Sequence, residues 1–173
     1  CDEQLLLPVM YSIPTTIQQI NITMGYPARS TIIAALVSLL CDLKNYAKQE
    51  ATETFYYYKP VIALLNHKLI QTLFPEEITK ITQYIQKKNI IYVSEKSLQF
   101  HPLTQAIFSS TEEKISTYLL HILRLLLQLH TSIDPIEKEF LFSIYTQIQN
   151  LQNSFEEENI EPADKLYLQI VRK

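Results

Sequence analysis

The sequence predicts a mainly α-helical chain: a small α/β piece at the N-terminus, then a helical bundle with room for one short β-hairpin. Three observations lead there. Gly25 is the one glycine in 173 residues, where average usage of roughly 7% would give about a dozen, so a turn-rich body is disfavoured. Long stretches repeat apolar residues at spacings of three and four, the helical pattern. The place where a spacing of two gives way to a spacing of about 3.6 falls at that glycine, in INITMGYPARST over residues 20–31.

Asp2 and Glu3 open a short helical piece, which Pro8 restarts as a first-turn residue and Pro14 ends. Ile20, Ile22 and Met24 alternate with Asn21 and Thr23, making residues 18–24 a strand whose ladder Pro27 stops. Ser30 and Thr31 are good N-caps for a helix over residues 30–45 with Ile32, Ile33, Leu36, Leu39, Leu40 and Leu43 on its apolar face. Lys44 and Lys48 fall where a helix C-terminus favours cations. Gly25 suits a positive φ, or a close backbone approach to something bound at the helix N-terminus. Residues 48–54 are polar and lack an apolar anchor, so they read as a linker. The division that follows is an α/β part over residues 1–47 and a helical part over residues 55–173.

After the linker comes FYYYK, residues 55–59, and Pro60 starts a helix to about Leu69. Three adjacent tyrosines beside a lysine can stack the bases of single-stranded DNA; packing a helix start with hydroxyls at the surface is their commoner use. Phe74 and Pro75 open a helix to about Lys88, with Ile78, Ile81 and Ile85 inward, Glu76 and Glu77 at the acid-favouring end, and Asn89 as its cap. Ile90 to Val93 reads as a strand that pairs with residues 98–100 in a hairpin. Residues 102–109 form a loop or a short helical turn. Thr111, with Glu112 and Glu113, caps a helix over residues 112–130 that is apolar except for a stripe of Lys114, Thr117, His121, Arg124 and Gln128. Such a stripe is usually a solvated face, and Arg124 with His121 also suits a phosphate or a neighbouring domain. Asp134 and Pro135 start a second long helix with Ile136, Phe140, Ile144, Ile148, Leu151 and Phe155 on one face, which must pack against the first. Pro162 begins a last helix with Leu166, Ile170 and Val171 inward.

A net charge of −3 and a pI near 5.8 give no global pull toward nucleic acid, so non-specific DNA affinity of the chain alone is weak. Cys1 and Cys41 have no metal-ligand spacing and describe a cytoplasmic chain better than a disulfide scaffold. The longest apolar run, residues 115–129, is interrupted by His121, Arg124 and Gln128 and falls short of the ~20 residues a bilayer needs. There is no GxxxxGK[ST] loop, no GxSxG, no metal-spaced His or Cys pair and no carboxylate cluster, so ATP hydrolysis, acyl transfer and metal chemistry have no visible residues. His67, His101, His121 and His130 are scattered, and no catalytic residue, metal or cofactor is assigned. The ends, Cys1 and Arg172-Lys173, read as those of a segment cut from a longer polypeptide.

The run DEQLLLPVMYSIPTTIQQINITMGYPARSTIIAALVSLL, residues 2–40, resembles the central part of AddB-like (RexB-type) helicase-nucleases, especially the Bacteroides-type members with a PD-(D/E)XK nuclease domain. FYYYKPVIALLNHKLI, residues 55–70, is similar to that family's FYY, LL and H-P-I segment. About 55 residues carry the likeness, which is stronger than a single-glycine motif because NITMGYP is a specific string. The resemblance implies a superfamily I (UvrD-like) architecture, with residues 1–47 part of a RecA-like domain and residues 55–173 the helical insertion called 2B. It implies DNA contacts by Gly25, Tyr26, Arg29, Ser30 and Thr31 at the turn; Tyr57 and Lys59 are candidate DNA contacts on the stacking chemistry of FYYYK. ATP and Mg²⁺ would be bound elsewhere in the parent protein. The leading expectation is a non-catalytic fragment of a DNA-repair helicase-nuclease that positions DNA or a partner subunit. The alternative is an independent all-helical protein-interaction domain, in which INITMGYP is a structural turn.

Overall fold

The computed structural model describes residues 12, 14, 17, 31–50, 53–109, 114–129 and 134–157. It is mainly helical, with a small three-stranded antiparallel sheet. In chain order the elements are α1 (Ile32–Asn45), β1 (Ala47–Glu50), β2 (Glu53–Tyr57), α2 (Tyr58–Leu65), α3 (Lys68–Leu73), α4 (Pro75–Lys87), β3 (Tyr92–Ser94), α5 (Pro102–Ile107), α6 (Ile115–Leu129) and α7 (Pro135–Glu157). The expected strand over residues 18–24, the helical piece before it and the last helix from Pro162 lie outside the described residues.

Helix α1 is the hub of the core. Thr31 caps it as expected, its Oγ1 accepting from the Ala34 amide at 3.1 Å. Ile33, Leu36, Leu40 and Leu43 are buried, but so are Ala34, Val37 and Cys41, while Ile32 and Leu39 are only partly covered. The apolar face is wider than the expected stripe because α2, α6 and α7 pack around this helix from different sides. One continuous cluster joins these residues to Leu64 and Leu65 of α2, Ile122 and Leu126 of α6, and Ile144 and Ile148 of α7.

The two long helices pack against one another as the pattern requires. Lys114, Thr117, His121, Arg124 and Gln128 are all exposed, a solvated stripe, while Tyr118, Leu119, Ile122, Leu123 and Leu126 are buried. On α7 the inward face holds at Ile144 and Ile148 but not at its first turn, where Ile136 is 64% exposed; Leu141 is buried in its place.

Three local expectations are corrected. Of the polar stretch expected as a linker, residues 48–50 and 53–54 are strand: β1 and β2 pair antiparallel, from Ala47 opposite Tyr56 to Glu50 opposite Glu53. The second hairpin strand is not residues 98–100 but β2, with Phe55 opposite Ser94, Tyr56 opposite Val93 and Tyr57 opposite Tyr92. Residues 95–97 form a 3₁₀ turn instead, and Leu98 is buried behind it. The helix from FYYYK starts at Tyr58 and breaks at Asn66 and His67 before α3 resumes. The break is held by His67, whose Nε2 lies 2.9 Å from the Ile32 carbonyl of α1.

Asn89 does end α4. It has φ 48°, its amide donates to Gln86 O at 3.2 Å and the Ile90 amide donates to Ile85 O at 3.1 Å. That is the paired bonding of a Schellman motif, with asparagine in the left-handed position glycine usually takes. The turn feeds the chain directly into β3.

Candidate nucleic-acid interface

Residues directly opposite one another in an antiparallel ladder project from the same face of the sheet. On the inner face are Ala47, Tyr56 and Val93; Tyr56 is 1% exposed and meets Phe108 edge-on at 5.4 Å between ring centroids. The outer face carries Lys48 and Glu50 from β1, Glu53, Phe55 and Tyr57 from β2, and Tyr92 and Ser94 from β3.

A row of tyrosines crosses this outer face. Tyr57 stands in the centre, with Tyr92 at 5.9 Å on one side and Tyr46, the residue that closes α1, at 6.4 Å on the other. Tyr58 supports the centre edge-on at 5.0 Å. The flanking rings face solvent: Tyr46 is 59% exposed and Tyr92 47%. The Tyr58 amide donates to Ile91 O at 3.0 Å, extending the β2–β3 pairing past the last strand residue and fixing the row against α2.

The charges on this face are paired. Lys48 Nζ is 2.7 Å from Glu50 Oε1 and 5.8 Å from the centroid of the Tyr92 ring. The hydrogen bond to Glu50, together with its charge, holds the ammonium above the ordinary lysine value. Glu53 accepts from Ser94 Oγ and lies 3.6 Å from Lys96 Nζ. Lys59 is exposed one residue past Tyr58.

Of the residues expected to contact DNA, Tyr57 and Lys59 fall at or beside this row. Thr31 is buried and spends its side-chain oxygen on the α1 cap. Gly25, Tyr26, Arg29 and Ser30 lie outside the described residues. The middle tyrosine of the run 56–58 lies in the row, because strand alternation sends Tyr56 inward and Tyr57 outward. Sequence reasoning missed Tyr46, Tyr92 and Lys48. Residues 46–50, YAKQE, carry no period-two alternation that would mark a strand, and Tyr92 sat in an expected strand paired to the wrong partner.

His67 and His101 have structural work. His67 is buried at the α2–α3 break. His101 Nδ1 accepts from the Leu103 amide at 3.1 Å, Thr104 Oγ1 accepts from the His101 amide at 3.0 Å, and the ring packs on Phe74. His121 is exposed on α6, and His130 is outside the described residues. Among the described residues no group of three His, Cys, Asp or Glu side chains could hold a metal ion, and no helix is long and apolar enough to cross a membrane. Comparison with protein-family models, curated proteins and solved structures finds no match to the chain.

Proposed function

We propose that the chain is a non-catalytic segment that positions single-stranded DNA on the tyrosine face of its sheet, as part of a cytoplasmic bacterial DNA-repair helicase-nuclease. The observation that carries the binding part is the row Tyr46–Tyr57–Tyr92, with exposed rings at both ends. Aromatic faces stack bases irrespective of sequence, at about 1–3 kcal/mol per base. The ring centroids are 6.4 and 5.9 Å apart, wider than the about 3.4 Å step along one strand of a duplex, so unpaired, stretched nucleotides suit the row and stacked pairs do not. The parent protein is inferred from the NITMGYP and FYYYK resemblance, and ATP and Mg²⁺ would be its business elsewhere.

With Lys48 and Lys96 held by carboxylates and a net charge of −3, binding is weak and only mildly salt-dependent. The test is titration of the chain with oligothymidylate, read by tyrosine fluorescence. Tyr46→Ala and Tyr92→Ala should each weaken binding roughly 5- to 150-fold, the equivalent of one lost stack, while a duplex of the same length binds far less. Equal binding of wild type and both variants would refute the proposal. The alternative, a protein-interaction domain, is favoured by one observation: Ile91, next to Tyr92, is 60% exposed, and an aliphatic side chain beside tyrosines suits a protein partner such as a helicase-nuclease subunit.

A further inference from the structure

We infer that Glu50 sets how tightly the tyrosine face holds a strand, by keeping the Lys48 ammonium on its own carboxylate and beside the Tyr92 ring until a phosphate displaces it. This rests on the reading of the tyrosine row as a nucleic-acid site. Lys48 and Glu50 are two residues apart on an edge strand, so both side chains stand on the outer face. Their side chains are 59% and 54% exposed, so the pair is open to competition from solvent ions and from a ligand. At 5.8 Å from the ring centroid, the Lys48 ammonium sits against the surface a stacked base would cover, and the phosphate of that nucleotide would lie within its reach.

The carboxylates around it give the second observation. Glu50 is directly opposite Glu53, an arrangement of like charges that costs stability in an antiparallel pair. Each is relieved by its own lysine, Glu50 by Lys48 and Glu53 by Lys96. Glu53 is also tied to Ser94 Oγ, and its side chain is only 21% exposed, which fixes it in the sheet. Glu50 has no such second tie among the described residues. A strand optimised for pairing alone would place opposite charges here; positions where a sequence breaks such a rule tend to be functional. A phosphate and the Glu50 carboxylate cannot both hold the same ammonium closely, so occupation of the site opens the Lys48–Glu50 pair.

The experiment compares wild type, Glu50→Gln, Lys48→Gln and the double variant, each titrated with an oligothymidylate of about twelve nucleotides, within the site sizes of single-strand binders. Both positions are solvent-exposed, so the variants keep the fold. Glu50→Gln should bind roughly two- to five-fold tighter, the range expected for releasing one exposed ion pair. Its salt dependence should steepen by up to about 0.7 in log–log slope, one more phosphate neutralised. Lys48→Gln should bind more weakly with a shallower slope, and the double variant should match Lys48→Gln, since Glu50 acts through Lys48. Wild-type affinity in Glu50→Gln, or an equal gain from it when Lys48 is already replaced, would overturn the inference while leaving the tyrosine site standing. Absence of binding in wild type and Glu50→Gln alike would overturn both.

Discussion

Removing one hydroxyl, in Tyr118→Phe, should cost more stability than its size suggests. Helix α5 has six residues, too short to satisfy the carbonyls of its own last turn. Side chains from four other segments serve the carbonyls at its last residue and just past it. Tyr118 Oη donates to Ile107 O at 2.8 Å, Gln99 Nε2 to Phe108 O at 2.8 Å, and Tyr56 Oη and Lys44 Nζ both to Ser109 O at 3.2 Å. Lys44 also sits 4.4 Å above the Tyr118 ring, a cation at the negative end of a helix and over an aromatic face at once. Burial pushes both phenols above their ordinary value, so they stay protonated donors.

Ile107 is 1% exposed, so Tyr118→Phe leaves a buried carbonyl without its donor, worth about 1–3 kcal/mol. Tyr56→Phe should cost less, about 0.5–1.5 kcal/mol, because the Lys44 ammonium still serves the same acceptor. Urea denaturation is the assay: the midpoint should fall with unchanged slope, since no surface is newly exposed. For a chain of this size the larger loss corresponds to roughly 2–4 °C in Tm per kcal/mol. Tyr84→Phe, at a ring 54% exposed, is the control and should not move the midpoint. A Tyr118→Phe loss no larger than that of Tyr84→Phe would refute the reasoning that this hydroxyl locks α6 onto the end of α5.

His67 supplies a pH prediction. A carbonyl can only accept, so Nε2 carries the proton toward Ile32 O and Nδ1 is an unpartnered buried acceptor. Burial, partly offset by the bond to Ile32, lowers its pKa below the ordinary 6.5. The unfolded chain then binds the proton first, so stability is full above about pH 6.5 and falls as pH drops below it, by at most about 1.4 kcal/mol per unit. His67→Gln, which keeps an amide donor for Ile32, should flatten that part of the urea-midpoint profile between about pH 7.5 and 5.5; an unchanged profile would remove His67 as its source. At Asn89, φ 48° predicts that Asn89→Ala costs roughly 1–2 kcal/mol while Asn89→Gly is close to neutral. Equal midpoints for the two variants would show that the left-handed turn is not what fixes the end of α4.

The sequence by itself determined the long helices. The bounds of α1, α4, α6 and α7, the Thr31 and Asn89 caps, and the solvated stripe from Lys114 to Gln128 are legible because helical period and capping are local and repeat over ten or more residues. Tertiary structure decided the sheet. AKQE in β1 has no apolar face of its own and becomes a strand only because β2 lies beside it, and Val93 finds Tyr56 across a separation that no local pattern encodes. The break at His67 likewise depends on the Ile32 carbonyl of a distant helix. For the same reason the candidate site was half visible: Tyr57 and Lys59 stand out in FYYYK, whereas Tyr46, Lys48 and Tyr92 join them only when β1 and the distant β3 align in register on either side of β2.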